Sequence, residues 1–152
     1  MKGKSLVTVL VCVVLVIFLL MQPYKLVVVV GRSMLPTLKN GQILLAKKTN
    51  HFERGDIVVV KQEGDIIIKR IAYLPEEYYY TVLDSKSAEM ITIHNEYREM
   101  VSSIKKYGED AIRENHLAKN SYFVLGDNSA ESDDSRRFGP IYKEQILYKV
   151  IR

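Results

Sequence analysis

Apolar and polar positions change rhythm several times along the chain. From Ser5 to Tyr24, 20 residues pass without a charge, dominated by Leu, Val, Ile and Phe, and a helix of about 20 such residues spans a bilayer. Thereafter the apolar positions come in short, β-branched runs bounded by Gly, Pro and Asn, the rhythm of strands. The four valines Val27–Val30 read as the end of a buried strand, and Pro36 forbids continuing a ladder or a helix. Asn40-Gly41 leads into a strand over 42–47. Strands over 57–61 and 65–73, joined through Gln62-Glu63-Gly64, read as a hairpin that Pro75 ends. Tyr78–Leu83 and Met90–His94 are further strands. Between Asn95 and Leu117 the period shifts: Tyr97, Met100, Val101, Ile104, Tyr107, Ala111 and Ile112 recur at steps of three and four, which predicts an amphipathic helix laid over a sheet edge. Strands over 121–125 and 145–151 flank the polar stretch Gly126–Pro140, whose 15 residues are long for a mere connection. The expected fold is mainly β, with one inserted helix and one N-terminal transmembrane helix.

Composition refines this division. No small-x-small cleavage site follows the apolar run, so it reads as a retained anchor, and Lys2 and Lys4 favour an inside N-terminus. The expected organisation is 1–4 cytoplasmic, 5–24 transmembrane and 25–152 extracytoplasmic. The net charge of +4 comes without a cluster of basic residues and interleaved aromatics, so it points to anionic lipid rather than nucleic acid. The single cysteine, Cys12, lies inside the apolar run, which leaves the domain without a disulfide framework or a thiolate nucleophile.

Candidate chemistry centres on Ser33, at the strand-to-turn break in Gly31-Arg32-Ser33-Met34-Leu35-Pro36-Thr37-Leu38. A serine there can aim its hydroxyl away from the sheet, with local backbone N–H groups free for a developing oxyanion. It needs a base. His51, His94 and His116 stand in no recognisable triad setting and read as surface or capping residues. Lys69 is different: strand alternation places it with Ile67, Ile71 and Tyr73, where burial lowers an amine's pKa and lets it serve as a base. The alternative is that Lys69 snorkels out at a sheet edge. The loop from Gly126 to Pro140 mixes acids, hydroxyls and arginines, and Asp134–Arg136 is a candidate carboxylate–guanidinium pair.

Three stretches, Gly31-x-Ser-Met-x-Pro-Thr-Leu38, Lys69-Arg70-Ile71 with Leu74-Pro75, and Gly126-Asp-Asn128 with Asp134-Ser-Arg136-x-Phe-Gly139, follow one anchor in the order seen in bacterial type I signal peptidases. The chain resembles that family over most of its length. The resemblance implies a membrane-anchored serine endopeptidase with its catalytic domain on the outer face. It would use a Ser–Lys dyad without cofactor or metal, and would remove signal peptides from exported preproteins. Ser33 matches the nucleophile and Lys69 the general base. Ser132 matches the hydroxyl that orients the amine, while Asp134, Arg136 and Arg70 match residues that brace the site. The substrate would lie as an added strand, with Ile68 and Met34 lining shallow pockets for small residues.

The chain also departs from the family pattern. Gly31 stands where some members carry a serine that joins the oxyanion hole, Glu76-Glu77 replaces Gly-Asp, and Ser129 and Glu131 replace Arg and Asn. A catalytically weak or inactive anchored β module that binds exported chains is the rival reading. A self-cleaving repressor would need a DNA-binding domain, and nothing reads as helix-turn-helix.

Overall fold

A computed structural model describes residues 2–21, 23–83, 90–93, 106 and 112–151. Helix α1, Lys2–Met21, is followed by strands β1 (Tyr24–Val28), β2 (Ile43–Lys47), β3 (Ile57–Gln62), β4 (Asp65–Tyr73), β5 (Tyr78–Leu83), β6 (Met90–Ile93), β7 (Ile112–His116) and β8 (Ser121–Leu125). A short helix α2 (Ser135–Phe138), then β9 (Ile141–Tyr142) and β10 (Ile146–Val150), complete the chain. The fold is therefore mainly β. Seven strands form one sheet in the order β1-β2-β10-β3-β4-β8-β9, and three form a second in the order β6-β5-β7.

The hairpin β3–β4 is the backbone of the large sheet. Its two-residue turn, Glu63-Gly64, has φ of 50° and 101°, and two successive positive values suit the turn that matches strand twist. Residues 57–60 of β3 are all buried, because this central strand has a core on each face. Ile57 and Val59 pack with Val29, Met34, Leu38, Leu44, Ala46 and Val150. Val58 and Val60 pack instead with Ile71, Tyr122, Val124, Ile141 and Ile146. A third cluster, Tyr73, Tyr79, Leu117 and Phe123, lies where the chain passes towards the small sheet.

Three expectations change. The helix expected over 95–117 is contradicted at its C-terminal end, since Ile112–His116 is strand β7, antiparallel to β5 from Tyr78↔His116 to Val82↔Ile112. Cross-strand partners outweigh the helical spacing there: Asn115 Nδ2 donates to Thr81 Oγ1 at 3.0 Å and His116 packs 4.6 Å from the Tyr78 ring. Most of the remaining stretch, 94–105 and 107–111, lies outside the described residues. The valine run is not a buried strand: β1 starts at Tyr24 and forms the sheet's edge, with Leu26 and Val28 exposed, Val29 buried and Val30 85% exposed. Finally, α1 ends at Met21, and Tyr24 already pairs with Lys47 in the sheet. Where its side chains are described, at 7–16 and 18, the valines, leucines and Phe18 of α1 are exposed. Among the described residues no helix is long and apolar enough to cross a membrane.

Candidate active site

The turn carrying Ser33 is fixed from both ends. Leu38 N–H donates to Met34 O at 2.9 Å and Leu35 N–H to Arg32 O at 3.1 Å, while Gly41 N–H closes on Val29 O at 2.8 Å. Met34 and Leu38, 2% and 3% exposed, drive the turn into the core. Gly31 adopts φ 91°, a left-handed value that a side chain would strain, and its N–H donates to Asn40 Oδ1 at 2.9 Å. Ser33 is left half-buried, facing β4.

Opposite it stands Lys69, paired with Val58 across the hairpin. The side chain is 3% exposed, and its Nζ donates to Ser33 Oγ at 2.9 Å. Burial lowers the Lys69 amine below the ordinary lysine value, with Arg136 adding to the fall while the negative charges of Asp134 and Asp133 oppose it. The structure thus does not show Lys69 snorkelling. His51 lies in an exposed pair with Glu53 and His116 against Tyr78, so neither described histidine serves Ser33.

The loop after β8 clamps the serine turn. Asn128 N–H donates to Ser33 O at 2.9 Å and Asn128 Nδ2 to Arg32 O at 3.1 Å. This approach needs Gly126: a Cβ there would lie 2.6 Å from Ser33 O and would collide with Ser132 Oγ. Asp134, fully buried, accepts from Gly126 N–H at 2.9 Å. It also takes both forks of Arg136, Nε on Oδ1 at 2.8 Å and Nη2 on Oδ2 at 2.8 Å. Burial alone would raise this carboxyl, but the Arg136 hydrogen bonds, the Gly126 N–H, the Ser132 hydroxyl and the Arg136 charge together hold it below the usual value. Asp134 also caps α2 through Arg136 N–H at 3.2 Å.

Ser132 Oγ is buried and makes no complete hydrogen bond among the described residues, although it lies close enough to Asp134 to help lower that carboxyl. Arg70, the neighbour of Lys69, points to the other side of β4 and holds Asp127 through Nε at 2.8 Å and Nη2 at 2.6 Å. Gly126, Asp127 and Asn128 each do a separate mechanical task that the sequence reading did not assign. Ser135, whose task no local pattern signals, is fully buried and its Oγ accepts from Val124 N–H at 3.0 Å, tying the loop to β8.

A groove of about 110 Å³ runs up to the pair, lined by Val27, Val28 and Val30 on one wall and Ile66, Ile67 and Ile68 on the other, with Ser33 and Lys69 at its end. β1 has no outer partner in its sheet. β4 meets β8 only from Arg70 onward, so both walls present unpaired strand edges among the described residues. Ile68 is among the residues that line this groove, whereas Met34 lies in the core and Gly31 is not part of the lining. No group of His, Cys, Asp and Glu is arranged to hold a metal among the described residues.

The model of the family described as signal peptidase, peptidase S26, matches residues 2–151. The chain belongs to that family, and it is a serine endopeptidase. Among its relatives, signal peptidase I P of Bacillus subtilis subsp. natto is 32% identical over 159 residues, covering 95% of this chain and 82% of that protein. Signal peptidase IB of Staphylococcus aureus is 31% identical over 144 residues, 79% of this chain and 72% of its own. A crystal structure of a signal peptidase I from Enterococcus faecalis aligns with a TM-score of 0.42 at 22% identity, covering 67% of this chain and 97% of the other. The type I signal peptidases are thus the group to which the chain is assigned.

Proposed function

We propose that this chain removes N-terminal signal peptides from exported preproteins with Ser33 as nucleophile and Lys69 as general base. The observation that carries the reading is the 2.9 Å hydrogen bond from a buried amine to the Ser33 hydroxyl. A lysine whose ammonium form is penalised by burial is neutral at lower pH than a solvated one and can accept a proton. Ser33 Oγ attacks the scissile carbonyl while Lys69 takes its proton. The C–N bond then breaks as Lys69 passes that proton to the leaving amine. Water, deprotonated by the same amine, hydrolyses the acyl-enzyme and restores Ser33. The Ser33 N–H, which has no acceptor among the described residues, is the available donor for the oxyanion. No cofactor enters these steps.

Asp134, Arg136 and Ser132 support Lys69 from the loop, and Arg70 supports it through Asp127. The substrate enters the groove as an extended strand between the edges of β1 and β4, with its small residues against Ile68. The apolar stretch from Ser5 to the end of α1 at Met21 anchors the chain in the cell membrane as a single pass, with 1–4 in the cytoplasm and the catalytic domain outside, so that enzyme and preprotein share one surface. The full chain in lipid, incubated with a preprotein, is expected to cleave it, while Ser33→Ala and Lys69→Ala each lose at least about a thousandfold in rate. Undiminished cleavage by either variant would overturn the dyad.

A further inference from the structure

Two charged residues beside the reacting groups have no task in that reaction. Arg32 immediately precedes Ser33, and Glu131 immediately precedes Ser132. Their side chains meet at 3.4 Å, Nε to Oε2, and stay 67% and 44% exposed. Neither belongs to the walls of the groove, which are valine and isoleucine. The backbone around the pair is nevertheless held firmly, since Arg32 O accepts from Asn128 Nδ2 at 3.1 Å and Glu131 N–H donates to Asn128 O at 3.1 Å. Glu131 is also one of the positions where the chain departs from the family's motif.

We infer that the Arg32–Glu131 pair selects substrates by the charge of the first two residues beyond the scissile bond, favouring acidic ones. The inference rests on Ser33 being the nucleophile. With the scissile carbonyl at Ser33 Oγ, the next two residues of an extended chain lie within about 7 Å of it, inside the reach of a long side chain on the neighbouring residue. The apolar groove accommodates the signal-peptide side of the bond, so the leaving side meets the exposed, charged pair. Arg32 is the more exposed partner and is next to the nucleophile, so its guanidinium dominates the field there. Glu131 answers part of that charge and moderates the preference. One unit charge about 7 Å away in water changes an affinity roughly threefold, and salt at about 1 M, with a Debye length of about 3 Å, removes most of the effect.

The test uses the full-length chain in lipid and three signal-peptide substrates that differ only at the second residue after the cleavage site: Asp, Asn or Lys. The readout is the Asp-to-Lys ratio of kcat/KM, which does not depend on how much of each variant is folded. The wild type is expected to give a ratio of about 3. Glu131→Gln, which frees Arg32, raises it to about 8, and Arg32→Gln brings it below 1, with both changes collapsing in 1 M salt. One and the same ratio in all three proteins, while cleavage proceeds, overturns the inference alone. A wild type that cleaves none of the substrates overturns the peptidase reading and the inference with it.

Discussion

The two sides of Ser33 are built on opposite plans. Towards the groove the walls are valine and isoleucine, and among the described residues two strand edges carry unspent backbone donors and acceptors. Towards the 126–139 loop nearly every polar group is bound: Asp134 to Arg136 and Gly126, Arg70 to Asp127, Asn128 to the backbone of both Arg32 and Ser33. Under the proposed reaction the first side receives the guest strand, and the second holds the amine and hydroxyl at their separation. Binding and positioning are thereby assigned to different chemistry, and they fail differently when altered.

Asp134→Ala gives the largest expected effect. It strands Arg136 in a partly buried site and removes the acceptor of Gly126 N–H, and breaking such a pair from one side costs about 3–5 kcal/mol. Equilibrium denaturation of the 25–152 region within the full chain measures it, and a loss under 1 kcal/mol would show the loop to be held by other contacts. Gly126→Ala follows, because its Cβ must displace Ser33 O or Ser132. A shift of the nucleophile by about 1 Å costs about a hundredfold in kcat, with the signal in kcat rather than KM.

Acidity probes the same side more gently. Because burial holds the Lys69 amine below its ordinary value, cleavage rises about tenfold per pH unit up to the folded-state pKa and then levels off. Stability follows the same sign. Between the folded-state pKa and about 10.4 the unfolded chain carries a proton that the folded chain lacks, so stability rises with pH across that window. Lys69→Met removes this slope, and a rate independent of pH in the wild type would contradict the general-base role. On the open side Ile68→Ala is expected to raise KM about tenfold with kcat nearly kept, the low end of the roughly 1–3 kcal/mol that a methylene contributes in a pocket. A collapse of kcat would mean that the groove also positions the reacting atoms.

What could be read from the chain follows the range of the forces involved. The β3–β4 hairpin was legible because Glu63-Gly64 and the flanking isoleucines and valines are neighbours in sequence. Lys69 was legible for the same reason, through alternation along one strand. Ile112–His116 was not, since its strand is decided by Tyr78–Val82, 30 to 38 residues away, against a local spacing that favours helix. The start of β1 was hidden because Tyr24 extends an uncharged run without changing its character. The Arg70–Asp127 pair depends on β4 and β8 lying side by side, and Met34 is spent on the core because its turn winds inward, which its place beside the serine does not reveal.

The free edges of β1 and β4 carry one more consequence under the proposed reaction. Amides and carbonyls are common to every polypeptide, so a cleft that recruits them can serve a wide clientele of unrelated leader sequences and still insist on an extended shape. Methylating a single peptide nitrogen in the portion that docks there should be more damaging than exchanging most of its side chains.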